Sequence, residues 1–218
     1  MELQTLLNNL YGVEQLEGCA SQEIAAVKEI FGALPAAVED FWRMAGHTKR
    51  LKYVQDDWIF PADYQKWSWP GESEHLILLH ENQGCCQAVV RREDLTLPDP
   101  PVYIRTGEDG SLLCAAPAFS EFLQAALLYE AVWQLDHCSE EFFWLSDEEL
   151  TVVQAKLFRL PAVLRNWFDM EVAFFQNRPD NLVAVMDTGG EYQTLYGAVS
   201  EAGYAALLEV MEGLGEPV

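Results

Sequence analysis

The stretch L76-I-L-L-H-E-N-Q-G-C-C-Q-A-V-V-R-R-E-D-L-T-L-P-D-P-P-V-Y-I104 decides how the chain is read. Leu76 to Leu79 is a run of four apolar residues, long enough for a buried strand and short for a helix. Glu81-Asn82-Gln83-Gly84 supplies turn chemistry, because Asn tolerates a left-handed backbone and Gly84 accepts a positive φ without a Cβ clash. Cys85 to Val90 returns as a second apolar strand, so the pair reads as a hairpin. Asp99-Pro100-Pro101 has no amide hydrogens to give a ladder at its prolines and forces an extended approach to Val102–Arg105. Thr106-Gly107-Glu108-Asp109-Gly110 then turns into Ser111 to Ala115. Four consecutive antiparallel strands follow from this spacing. None of these residues forms a nucleophile, a phosphate cradle or a metal cage.

Working outward, the apolar spacing predicts helices on both sides. Leu3, Leu6, Leu7 and Leu10 share a face near the N-terminus. Ser21 reads as the cap of a helix over Gln22–Phe31 with Ile24, Val27, Ile30 and Phe31 inward. Pro35 suits the first position of the next helix, whose stripe is Val38, Phe41, Trp42 and Ala45 before Gly46. Leu51–Val54 and Trp58–Pro61 are strand candidates in an otherwise irregular segment from His47 to His75. A helix from Ser120 to about Leu135 carries Phe119, Phe122, Leu123, Ala126, Leu127 and Ala131 at helical spacing, and lies on one face of the sheet. Ser146-Asp147-Glu148-Glu149 is a capping box flanked by Leu145 and Leu150, opening a helix to about Phe158. Strands at Val172–Phe175, Leu182–Asp187 and Tyr192–Tyr196 precede a last helix from Ser200 to about Gly213. The fold class is α+β, with an antiparallel or mixed sheet packed by helices.

The central stretch also resembles the core motif of the SUKH superfamily, which includes the Smi–Knr-type domains. The features are an apolar strand, the E-N-Q-G turn, a second strand, R92-E-D-L95, D99-P-P-V-Y103, a hairpin and a helix opened by F119-S-E-F-L123. Upstream, Leu34-Pro35 before a helix ending at Gly46 is similar to the family's L-P motif, and the resemblance spans about Leu34 to Trp133. The sequence departs from many relatives in having Cys85-Cys86-Gln87-Ala88 where they carry an aromatic residue after the turn glycine. The resemblance implies a single SUKH-like domain over 1–218, with a core at about 22–135 and a C-terminal α/β extension at about 145–213. With no Gly/Ser/Pro linker between them, the second part is expected to extend the sheet of the first. L34-P-A-A-V-E-D-F-W42 and L160-P-A-V-L-R-N-W-F168 leave open both an internal duplication and a chance recurrence of a helix start.

Composition limits function. Thirteen Lys and Arg against 35 Asp and Glu give a net charge of −22, which repels nucleic acid and anionic membranes. The same balance serves solubility or a partner with a basic surface. No apolar run reaches the ~20 residues of a membrane span and the N-terminus lacks a basic region, so a cytoplasmic protein is expected. Five cysteines make a poor disulfide framework and read as free thiols. The sets His75/His80/Cys85/Cys86 and His137/Cys138 lack zinc spacing, so neither metal nor cofactor is assigned. There is no G-x-S-x-G and no phosphate-binding glycine loop, and pairs such as Asp56-Asp57 and Glu140-Glu141 read as solvated charge, so no catalytic residue is assigned.

The resemblance implies a bacterial immunity protein that neutralises a co-encoded toxin, a nuclease among the possible targets, by direct contact. The alternative it implies is a Smi–Knr-type regulatory module linked to cell-wall or growth control. Candidate partner-binding residues are acids beside aromatics in the irregular segment: Asp56, Asp57, Trp58, Trp69, Glu72 and Glu74. Trp67 and Trp69 stay open between a lid over the core and interface anchors.

Overall fold

The computed structural model describes residues 2–52, 54–106, 110–139 and 141–217. The expected turn at 107–109, Tyr53 of the Leu51–Val54 candidate and Glu140 lie outside them. Among the described residues two antiparallel sheets and eight α-helices, the first of them α1 (Leu3–Tyr11) and the sixth α6 (Phe119–Val132), make an α+β protein, divided into two compact units. The central unit is Gln15–Leu123; the terminal unit joins the residues up to Glu14 with those from Gln124 onward. Among the described residues no helix is long and apolar enough to cross a membrane.

In the central unit, β1 (Asp57–Trp58), β2 (His75–His80), β3 (Cys86–Arg91), β4 (Val102–Thr106) and β5 (Ser111–Ala116) pair in that order. The four strands expected between residues 76 and 115 are present, consecutive and antiparallel. The hairpin closes through Glu81, whose amide donates to the Cys86 carbonyl at 3.1 Å while its own carbonyl accepts from Gly84 at 2.9 Å. Gly84 has φ +79°, and a Cβ there would meet nothing closer than His80 Cε1 at 4.0 Å. The glycine is needed for its backbone, not for space. Gly84→Val is therefore expected to cost about 2 kcal/mol, lowering the melting temperature by about 4–8 °C, while Gly84→Asn costs much less. Equal melting temperatures for the two variants would show that the left-handed backbone is not what glycine supplies.

Helices cover this sheet because their apolar stripes leave them no other stable arrangement. In α2 (Ser21–Phe31), Ile24, Val27 and Phe31 are buried but Ile30 is 40% exposed, so the stripe is narrower than its spacing suggests. Ser21 is the first helical residue, not the cap; Glu23 folds back to accept from the Ala20 amide at 2.7 Å. In α3 (Ala36–Ala45), Val38, Phe41, Trp42 and Ala45 are all buried as expected, with Pro35 as the cap residue just outside. Phe41 meets Trp58, Phe60 and Phe119 at 5.3, 5.9 and 6.1 Å between centroids, and Phe122 packs on Trp58 at 6.5 Å. Lys49–Leu51 is a turn of 3-10 helix, not the start of a strand.

The terminal unit corrects one expectation. It does not extend the first sheet but builds a seven-stranded sheet of its own. Its main strands are β8 (Phe158–Trp167), β9 (Met170–Gln176), β10 (Asn181–Asp187) and β11 (Tyr192–Ala198). Shorter pieces are β6 (His137–Cys138), β7 (Phe143–Leu145) and β12 (Glu216–Pro217), and the order is β12-β7-β11-β10-β9-β8 with β6 also on β11. Four long strands joined by short turns satisfy one another locally, and α7 (Asp147–Lys156) and α8 (Glu201–Met211) supply a separate core. Val153, Leu157, Phe175, Val183, Val185, Leu207 and Met211 meet there. Each such burial contributes about 1.5–3 kcal/mol.

The two Leu-Pro segments also part company: 36–45 is helix α3, whereas 158–167 is strand β8. Pro161 sits on the sheet's edge strand where the pairing skips from Arg159 to Val163, so its missing amide hydrogen breaks no ladder. Asn181, fully buried, accepts from the Asn177 and Arg178 amides at 3.2 Å and donates to the Gly203 carbonyl at 2.9 Å, fixing the β9–β10 turn.

The capping box predicted at Ser146 is present and reaches further than a cap. Glu149 Oε2 accepts from the Ser146 amide at 2.8 Å, and Oε1 accepts from the Gly215 amide at 2.8 Å, beside β12. These donors, Gly215 first and then Ser146, hold the Glu149 carboxyl below its ordinary value of 4.5. A carboxyl depressed on folding contributes stability above its unfolded value and loses it as pH falls through the folded value. Glu149→Gln is thus expected to lower the melting temperature at neutral pH, with the gap to wild type closing as pH falls below about 4.5. A gap independent of pH would contradict this role for the charge.

Candidate functional site

Cross-strand register places Asp57 opposite His80, His80 opposite Gln87, and Gln87 opposite Arg105. Paired residues point to the same face, so these four polar side chains form a row across one face of the central sheet. Arg105 Nη2 donates to Gln87 Oε1, which leaves the Gln87 amide nitrogen to donate to His80 Nδ1 at 3.0 Å. His80 accordingly carries its proton on Nε2. His75, at the other end of β2, is held below the ordinary imidazole range, first by burial and then by the Arg105 charge. Arg91 lies 4.5 Å from the Tyr103 ring centroid and is paired with Glu93 and Asp94 at 3.0 and 2.7 Å. Arg105 makes no ion pair among the described residues.

Beside this row stand two tryptophans. α4 (Pro61–Lys66) begins with Pro61 and is capped by Asp63, which accepts from the Phe60 amide at 2.9 Å. Tyr64 ties it to the sheet by donating to the Ile77 carbonyl at 2.6 Å, and its ring packs on Phe31 at 5.7 Å. Trp67 is extended, so the chain breaks and restarts as the short α5 (Ser68–Gly71), held by buried Pro70. The break turns both indoles outward: Trp67 is 39% and Trp69 38% exposed. They stack on each other at 6.4 Å, Trp69 lies 5.1 Å from the His80 ring, and Lys66 Nζ sits 4.3 Å from the Trp67 centroid. Two rigid aromatics on an anchored scaffold form an exposed apolar platform on a protein of net charge −22.

The six candidate residues divide. Trp69, Asp57, Glu72 and Glu74 are at the surface. Asp56 is 1% exposed and accepts from the Asn82 amide at 3.2 Å, so it serves the E-N-Q-G turn and leaves the surface set. Glu81, also buried, accepts from the Gln83 and Cys85 amides at 2.9 and 3.0 Å within the same turn. Trp58 is 5% exposed in the core, against Phe41 and Phe122, and is likewise removed. Trp67 resolves toward exposure. Gln87 and Arg105 were not singled out from sequence, and His80 was weighed only as a metal ligand, although their strand positions put polar residues on one side of apolar runs.

Among the described residues one group of three metal-type donors comes together, and it is neither set weighed from spacing: Cys19, Glu23 and His47. Cys85 is exposed in the bend before β3, and Cys86, the first residue of β3, is buried. The Cys19 thiol is pushed up to about 11, first by burial and then by the Glu23 charge, the reverse of what an attacking thiolate needs.

Comparison with known proteins returns no matching family model, no matching curated protein and no matching solved structure.

Proposed function

We propose that this is a SUKH-like binding protein of the immunity type, acting in the cytoplasm, which neutralises a co-encoded toxin by covering a basic face of it. The observation that carries the reading is the exposed, stacked Trp67–Trp69 pair on an anchored segment of a protein with net charge −22. Tryptophan at the centre of an interface is among the residues whose loss costs most, because a large rigid ring is desolvated at little entropic cost. Exposed Asp57, Glu72 and Glu74 lie in the same segment or row and supply charge for steering a basic partner. Nucleic acid is a poor alternative, since the phosphate backbone meets repulsion from such a surface.

The test is co-purification of the full chain with inactivated toxin domains encoded beside it, together with rescue of growth when the active toxin is expressed. Binding to one such domain, with rescue, is expected. Failure against all of them, with capture instead of a cell-wall or growth-control component, would replace the immunity reading with the regulatory one.

A further inference from the structure

Glu23 closes the first turn of α2 through the Ala20 amide, and a carboxylate oxygen of it also meets Cys19 and His47: the sulfur, oxygen and nitrogen atoms all lie within 4.8 Å of one another. Cys19 is 4% exposed and its Sγ has no hydrogen-bond partner among the described residues, so a potential ligand is buried and unmatched there. His47 Nε2 and Glu23 Oε2 are 2.9 Å apart, with side-chain exposures of 35% and 25% that leave the group open to solvent on one side.

The backbone holds these donors in place. The Cys19 amide donates to the Trp42 carbonyl at 2.8 Å, and the His47 amide donates to the Glu17 carbonyl at 2.7 Å. Gly46 has φ −66° and ψ −12°, a conformation open to any residue, so its backbone does not require glycine. Space does: a Cβ at Gly46 would lie 2.4 Å from Cys19 Sγ and 2.8 Å from the Trp42 carbonyl. The missing side chain is what lets the thiol lie beside the His47 turn.

We propose that Cys19, Glu23 and His47 bind a zinc ion, with water or a partner's side chain in the fourth position. Thiolate, imidazole and carboxylate are the ligand types zinc takes, and three protein ligands with an open place are an arrangement it adopts. On binding, the thiol proton goes to solvent, the imidazole binds through Nε2 with its proton on Nδ1, and the Glu23–His47 hydrogen bond gives way to two bonds to the ion. The ion joins the segment before α2, the first turn of α2 and the end of α3, so its binding adds to the stability of the central unit.

The test is titration of the full chain with cobalt(II) and then zinc, in a background where the exposed Cys85, Cys114 and Cys138 are serine. Expected are four-coordinate visible bands, a near-ultraviolet thiolate-to-cobalt band at one ion per chain, displacement by zinc, and a higher melting temperature with zinc. Cys19→Ser should abolish the thiolate band, and Glu23→Gln and His47→Gln should each weaken binding at least about tenfold, with folding checked by circular dichroism. No thiolate band on the folded protein, or one that survives Cys19→Ser, overturns the proposal. Should Cys19→Ser fail to fold, unchanged affinity in Glu23→Gln and His47→Gln overturns it equally.

Discussion

Gly18→Ala is expected to destabilise the central unit by at least about 3 kcal/mol, seen as a melting temperature lower by about 6–12 °C. The added Cβ would lie 1.7 Å from the Arg43 carbonyl oxygen and 2.5 Å from its carbon, both backbone atoms in the last turn of α3. No rotamer change relieves a clash with backbone. Nor can the strap carrying Gly18 lift away cheaply, because Cys19 and Glu17 hydrogen-bond to Trp42 and His47 on either side of it. Gly32→Ala is the fitting comparison. Gly32 has φ +81° and nothing within 4 Å of its Cβ position, so that change costs only the strain of a left-handed alanine, about 1 kcal/mol. Equal losses at the two sites would mean that the strap does not lie on α3 as described. Gly18→Ala should also weaken zinc, since it moves Cys19.

What the sequence made legible was what local chemistry decides. Four apolar residues, a turn with glycine at a left-handed position and an apolar return specify the β2–β3 hairpin with little help from the rest of the fold. The stripe of α3 and the capping box of α7 were legible for the same reason. β8 was not. Its Pro161 resembles a helix start, and its hairpin with β9 turns through Phe168 and Asp169, at φ 53° and 58°, without the Asn-Gly or Asp-Gly that marks such turns. A strained, non-glycine turn leaves no compositional trace.

Site residues divided along the same line. Asp56 read as surface charge because nothing local says that it accepts from Asn82, 26 positions away. Trp58 and Trp69 are the same residue type in the same irregular segment. Only the tertiary arrangement, in which Phe41 and Phe122 cover one and a helix break turns the other outward, separates core from surface. Cys19 and His47 are brought together by α2 and α3 packing, which no spacing rule records.

The second large effect concerns the partner. If the stacked indoles are the centre of the interface, Trp69→Ala removes the ring in contact with both Trp67 and His80. A loss of at least about 2 kcal/mol, or roughly 30-fold in affinity, is expected, carried by faster dissociation. The exposed acids should act differently. Glu72→Gln/Glu74→Gln and Asp57→Asn remove charge without removing contact area, so they should slow association and flatten its dependence on salt while leaving dissociation nearly unchanged. Asp56→Asn belongs outside this set, since its effect should fall on stability through the E-N-Q-G turn.

The most direct measurement is therefore association and dissociation rates for the chain and the inactivated toxin domain that co-purifies with it, at two salt concentrations, for wild type, Trp69→Ala and Glu72→Gln/Glu74→Gln. Dissociation faster by roughly 30-fold is expected in Trp69→Ala with association little changed, and slower, less salt-sensitive association in the double glutamine variant. Wild-type rates in Trp69→Ala, with its melting temperature unaltered, would contradict the claim that this protein binds its partner through the tryptophan platform.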